Sequence, residues 1–201
     1  MIHKQALEYE LCLAAGKTAS QHVDHNPSDE KAADQARIYF EKSVELSKAG
    51  IKKIKSTSSG TKTHQDVMKH NHSKALFELG HLYVVTNKLI DAIKVWEDRE
   101  VLLANNRDEL VILYHDIGRA QLSLNNFEKA REYANLSYNM VIHPVWKMNV
   151  MVLLAEIHLA SKQIDEAKKV LENCLVIAGE QKDHSAAKAV TDLLERLRVR
   201  V

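Results

Sequence analysis

Side chains able to ligate a metal or attack a carbon are plentiful in this chain, with eleven histidines, two cysteines and 27 Asp and Glu among 201 residues. Metal chemistry needs such groups at fixed spacings, because a zinc site is built from ligand pairs a few residues apart. His22 with His25, and His70 with His72, are close pairs, but neither is joined by a second pair, and HExxH does not occur. His158 reads as a packing residue. Cys12 and Cys174 stand far apart and outside any CxxC, which fits two small apolar residues of a reducing compartment. A GxGxxG loop, a P-loop and a nucleophile elbow are all missing, so no side chain is assigned as nucleophile, base or phosphate cradle. The expectation is a non-enzymatic protein with no catalytic residue, cofactor or metal. An enzyme with diffuse catalytic residues has no motif to support it.

Charge and composition narrow the partners. Lys and Arg number 28, giving a formal charge of +1, so no global field draws the chain toward nucleic acid or an anionic membrane. No apolar run nears the roughly 20 residues that span a bilayer, and Met1 to Glu10 is too polar for a signal peptide. A cytoplasmic protein is expected, in which Asn71-His72-Ser73 and Asn135-Leu136-Ser137 are accidental sequons. The chain reads as a piece cut from something longer. Scarce Gly (6) and Pro (2) beside abundant Leu, Ala, Val, Ile and Lys predict an all-α fold.

Any binding groups must therefore be positioned by helices, and a repeated pattern says how. Gly118 is followed twelve residues later by Ala130 across a polar break at Asn125-Asn126, and the same grammar runs from Gly80 to Ala92 and from Ala155 to Ala167. The closing alanines lie 38 and 37 residues apart. Each follows an apolar residue by three: Leu89, Phe127 and Ile164. A period of this size means stacked helix-turn-helix units, since one unit cannot bury its own apolar face. Small residues let helices approach closely, and Tyr83, Trp96, Phe127 and Leu171 fill the space nearby.

Read in order, the spacing predicts one helical-repeat domain over 1–201. A degenerate N-terminal pair occupies 1–55: a helix to about Val23 with Leu7, Leu11 and Ala15 on its apolar side, then a helix from Pro27, capped by Asn26, with Ala36, Phe40 and Val44 on one face. Residues 56–66 read as a flexible loop. Three repeats fill 67–182, with helices over about 67–85 and 89–104, 108–124 and 127–141, 145–160 and 164–177, the last closed by Gly179. A capping helix over 183–201 carries Ala186, Val190, Leu193, Leu194 and Leu197 on one stripe.

The first helices of such units line a concave face. Helical spacing from the buried positions puts Phe77 and His81, then His115 and Arg119, then Asn149, Val152 and Glu156 in that row. Their mixture suits a peptide or helix groove. The same row equally suits an ordinary solvated face, or one filled by the N-terminal helix. Lys48, Lys52, Lys53, Lys55 and Lys62 cluster near the predicted loop. They read either as cations meeting a helix C-terminal dipole or, through Lys52, Lys53 and Lys55, as a patch for an acidic partner such as a microtubule.

From about Asn71 to Ala178 the pattern resembles the tetratricopeptide repeat, which implies a helix-turn-helix solenoid wound as a right-handed superhelix with a C-terminal cap. Gln121 and His158 depart from it, standing where an aromatic residue or Leu is usual, and Ala134 replaces a large residue. Tyr114-His115-Asp116-Ile117-Gly118-Arg119, Asp91-Ala92-Ile93 with Trp96-Glu97, and Trp146 with Asn149 and Val152-Leu153-Leu154-Ala155 are similar to the tetratricopeptide subunits of the ciliary outer-dynein-arm docking complex. The repeat spacing, longer than the usual ~34 residues, points the same way. That resemblance implies a protein-protein interaction scaffold on the axoneme of the cilium, with coiled-coil docking-complex subunits and other axonemal proteins as partners. A generic cytoplasmic adaptor is the alternative, as is microtubule association through the lysines. The Lys, Asn and Arg set of chaperone-binding tetratricopeptide domains is missing from the row, so binding of chaperone C-terminal peptides is not expected.

Overall fold

Four of the described non-glycine residues adopt a positive φ, Asn87 at 57°, Asn125 at 59°, Lys162 at 61° and Lys182 at 54°, and each of them ends a helix. The computed structural model describes residues 2–56, 62–103 and 106–198, with side chains over 6–54, 62–103 and 106–197. Among them the chain forms α1 Ile2–His25, α2 Glu30–Ser56, α3 Lys62–Val85, α4 Leu89–Glu100, α5 Arg107–Ser123, α6 Phe127–Met140, α7 Pro144–Ala160, α8 Ile164–Glu180 and α9 His184–Arg198. No described residue is in a strand. At each positive-φ turn two amides close back on the helix just ended. Asn125 donates to the carbonyl of Leu122 and Asn126 to that of Gln121, and the same pair recurs at Asn87-Lys88, Lys162-Gln163 and Lys182-Asp183. These 6→1 and 5→2 bonds satisfy carbonyls that a helix end leaves open, and they turn the chain into the next helix.

By internal packing the chain divides into two units, 1–104 and 105–201. In the first, α1 packs on α2, α2 on α3 and α3 on α4. Its core joins Tyr9, Leu13, Val23, Ala36, Phe40, Ala75, Leu79 and Leu82. Close approach is set by glycine: a Cβ at Gly16 would lie 2.6 Å from Phe40 Cε1, and one at Gly80 would run into the Trp96 indole. Polar staples cross the same layers. Tyr9 Oη donates to the Asn71 carbonyl at 2.7 Å and Tyr83 Oη to Glu41 at 3.2 Å. Burial first, and then the Glu41 charge and hydrogen bond, push the Tyr83 phenol up to about 12.

Several expectations for this unit need correction. Leu7 and Leu11, 62% and 63% exposed, face outward, whereas Tyr9, Leu13 and Gly16 turn to the core. Two apolar rows run along α1, and the row containing the glycine is the one that can accept the Phe40 ring. At the next turn Asn26 takes the Ser28 hydroxyl, and Asp29, not Asn26, caps α2 by accepting from the Ala32 N–H at 3.0 Å. Pro27 lies in the turn outside the helix. Of the loop expected at 56–66, residues 62–66 are the first turn of α3, Ser56 ends α2, and 57–61 lie outside the described residues.

In the second unit α5 packs on α6, α6 on α7, α7 on α8 and α8 on α9, while α5 also meets α7. Ala130, Ala134, Leu153, Leu154 and Ile157 form one buried cluster, and Met148, Met151, Ala155, Ala167, Leu171, Cys174 and Ala178 another, closed by Val190 and Leu197 of α9. Leu153, Ile157 and Leu171 are fully buried, so truncating any one to Ala costs about 2–5 kcal/mol. The α9 stripe packs as its spacing predicted, and Asp183 caps the helix at the Ala186 N–H. Gly179 does not close α8. It lies inside that helix beside open space, and the turn falls on Lys182.

Candidate functional site

Each helical hairpin is locked at one register point. Arg99 Nε donates to Ser73 Oγ, Ser137 Oγ to the Val111 carbonyl, and Cys174 Sγ lies 3.8 Å from the Met148 carbonyl, every pair being 26 residues apart. A second lock spans the turns of the second unit. Gln121 accepts from Asn126 Nδ2 at 2.9 Å, and His158 Nδ1 lies 2.9 Å from Gln163 Oε1. The two residues that broke the repeat pattern therefore hold their own hairpin turns through hydrogen bonds.

The seven groove residues fall in separate units and different settings. In the first unit Phe77 and His81 are half-buried between α3 and α4. Their rings stack edge-on at 4.4 Å, His81 meets Trp96 at 5.6 Å, and the Arg99 guanidinium sits 4.7 Å over Phe77. This column belongs to the packing of its hairpin.

In the second unit α5 and α7 bring the other five residues to one side. His115, with its side chain 12% exposed, holds Asp116 Oδ1 at 3.2 Å through Nδ1 and meets the Trp146 ring edge-on at 6.1 Å. Its Nε2 is buried without a hydrogen bond. One helical turn on, Arg119 reaches Glu156 of α7 at 3.4 Å, and both side chains are substantially exposed. Solvent screens such a pair, so it contributes no more than about 1 kcal/mol and is easily exchanged for a partner's charge. Asn149 is exposed, while Val152 is half-buried against the Met148 and Met151 cluster.

Beside this set opens a cleft of about 580 Å³, lined by Asp108, Val111 and Ile112 of α5 and by Val141, Ile142, His143, Pro144 and Trp146. Ile142 is 72% exposed at its rim, and Trp146 forms one wall with the edge that also meets His115. Sequence reasoning passed over this cleft. Its signal was the segment Val141-Ile142-His143-Pro144-Val145-Trp146, apolar where a connection is ordinarily polar.

The lysines disperse. Lys48, Lys52 and Lys62 are exposed, Lys53 is half-buried along a crevice lined by Tyr9, Ile54 and Met68, and the Lys55 side chain lies outside the described residues. Among the described residues no three His, Cys, Asp or Glu are placed to hold a metal, and no helix is long and apolar enough to cross a membrane. The arrangement offers apolar and ion-pairing contacts and no assembled nucleophile and base.

Known proteins share the helical hairpins. The tetratricopeptide repeat family matches residues 111–140 and 149–181, which hold most of α5, α6, most of α7 and α8. These two hairpins are tetratricopeptide repeats. Over 126 residues, 61% of its length, it is 35% identical to outer dynein arm-docking complex subunit 4 of Xenopus laevis, and over 132 residues, 64% of its length, 32% identical to that of Danio rerio. The human protein of the same name is 27% identical over 126 residues, 61% of this chain and 19% of its own length. The matches span 24% and 27% of the frog and fish proteins, so the chain spans about a quarter of those relatives. TPR-like repeats of a Podosopora anserina kinesin light chain superpose with a TM-score of 0.65 and 16% identity over 98% of this chain and 86% of theirs. BtubC from P. vanneervenii superposes at 0.53 with 13% identity, covering 98% and 91%. At such identities the two structures speak for the tetratricopeptide fold alone.

Proposed function

We propose that this chain is a non-enzymatic interaction module of an outer-dynein-arm docking assembly on the ciliary axoneme, and that its partner lies on the α5 and α7 face of the second unit. The observation that carries the reading is Trp146, a half-buried indole that joins the apolar cleft to His115 beside the exposed Arg119–Glu156 pair. Interface energy concentrates where an aromatic anchor borders a pocket with a polar rim. A coiled-coil subunit of the docking complex suits this face, because one side of a helix presents apolar knobs about every 3.5 residues with charges flanking them. An apolar knob enters the cleft, and a partner charge exchanges into the Arg119–Glu156 pair. Phe77 and His81 serve their own hairpin and not the contact. Lys53 is half-buried while Lys48, Lys52 and Lys62 are exposed, and the apolar cleft at Trp146 favours an adaptor over a direct microtubule contact.

The test is capture of docking-complex coiled-coil segments by the purified chain. Ile142→Glu and Arg119→Glu each weaken capture about tenfold, with helicity and melting temperature unchanged. Wild-type capture by both variants refutes the assignment of this face.

A further inference from the structure

The second helices of the two tetratricopeptide hairpins form a different cleft of about 330 Å³, lined by Arg131, Asn135 and Tyr138 of α6, Met151, Leu154 and His158 of α7, and Val170 and Asn173 of α8. At about 100° per residue, Met151, Leu154 and His158 lie on the side of α7 opposite Asn149, Val152 and Glu156. The cleft is therefore distinct from the face assigned above.

Its one full charge is fixed in place before anything binds. Arg131 Nη2 donates to Gln163 Oε1 at 2.8 Å, and that oxygen also holds His158 Nδ1 at 2.9 Å. A carboxamide oxygen only accepts, so the His158 ring carries its proton on Nδ1 and its charge is not needed for the lock. The guanidinium nonetheless lacks an anion: among the described residues it makes no ion pair, and its Nε is buried without a hydrogen bond. A guanidinium oriented by Gln163, partly desolvated and without an ion-pair partner, is complementary to a carboxylate through its remaining Nη N–H groups. Around it, Met151, Leu154 and Val170 supply an apolar floor. Asn135 and Asn173, both exposed, stand on opposite walls. Each carboxamide offers a donor and an acceptor, the pair that one peptide group requires.

We propose that this cleft binds an extended acidic peptide segment, with an internal Glu or Asp side chain on Arg131 and backbone peptide groups on Asn135 and Asn173. Asn135 lies one turn beyond Arg131 along α6, and Asn173 lies across the cleft on α8, ten residues past Gln163, so the peptide groups they take run along the cleft from the acidic side chain.

The test uses the whole chain and a fluorescent, N-acetylated and C-amidated peptide Ala-Leu-Glu-Leu-Ala, read by anisotropy. Saturable binding is expected, weakened about tenfold when Gln replaces Glu in the peptide and about tenfold again in Arg131→Gln against the original peptide. Asn173→Ala, at an exposed position, weakens it about threefold. Absence of binding, or equal affinity for the Glu and Gln peptides, overturns the proposal. So does wild-type affinity in Arg131→Gln with unchanged circular dichroism. Should Arg131→Gln unfold, Asn173→Ala decides, and unchanged affinity there overturns the proposal as well.

Discussion

At Gly80 the absence of one carbon sets how close α3 and α4 lie, because the Trp96 indole occupies the space a Cβ would take. Gly80→Ala gains about 1 kcal/mol in helix propensity and loses about 1–3 kcal/mol by overpacking a ring that has nowhere to move. Trp96 is 2% exposed, so the loss is expected to win, and urea denaturation should show a lower midpoint. Gly179→Ala is the opposite case. Nothing lies within 4 Å of its missing Cβ, and the substitution should stabilise by up to about 1 kcal/mol. His72 supplies a pH test. Burial, and then the Lys48 charge, hold its imidazole below the usual 6.5, while Asp98 opposes them, and Nδ1 sits 3.0 Å from Ser47 Oγ. Below pH 6.5 the unfolded chain binds the proton more readily, so stability present above that value is lost as pH falls toward the folded pKa. His72→Gln should therefore reduce the drop in melting temperature between pH 7.5 and 5.5 relative to wild type. Neither Gln121 nor His158 revealed its role in sequence, since each role depends on a partner five residues on, across a turn whose geometry a spacing pattern does not show.

Helix starts from α4 to α9 were legible because small residues, polar breaks and apolar periodicity agree there. The first two helices were less so. Two apolar rows on α1 are equivalent in periodicity, and only the seat of the Phe40 ring on Gly16 selects one. At the α1–α2 turn, Asn26-Pro27 and Asp29 both carry start signals, and the hydrogen bond to Ala32 N–H decides for Asp29. Gly179 suggested a stop because glycine favours the left-handed region, yet the chain places that conformation on asparagine and lysine. Asparagine tolerates it; lysine bears a Cβ clash. Lys162→Gly should accordingly stabilise the α7–α8 hairpin by about 0.5–1 kcal/mol, seen as a higher melting temperature. Asn125→Gly should shift it much less. No gain at Lys162 would mean that the turn is held by its hydrogen bonds with little conformational strain.

The fold class was readable in full from the 38 and 37 residue spacing, since stacking is what that repetition requires. Of the candidate site, helical spacing shows His115, Arg119 and Glu156 as neighbours on α5 and α7, while Phe77 and His81 have their ring contacts within the α3–α4 hairpin. The cleft beside Trp146 is not legible in a spacing pattern because it forms from a connection and two helix ends. The similarity of the chain to docking-complex subunits names the partners to try. The measurement closest to the central claim is crosslink mapping of the chain co-purified with docking-complex coiled coils, with a photoreactive side chain placed in turn at Ile142, Arg119 and Asn149. Crosslinks to one coiled-coil segment from all three positions are predicted. Capture of the coiled coil with no crosslink from any of the three contradicts the account.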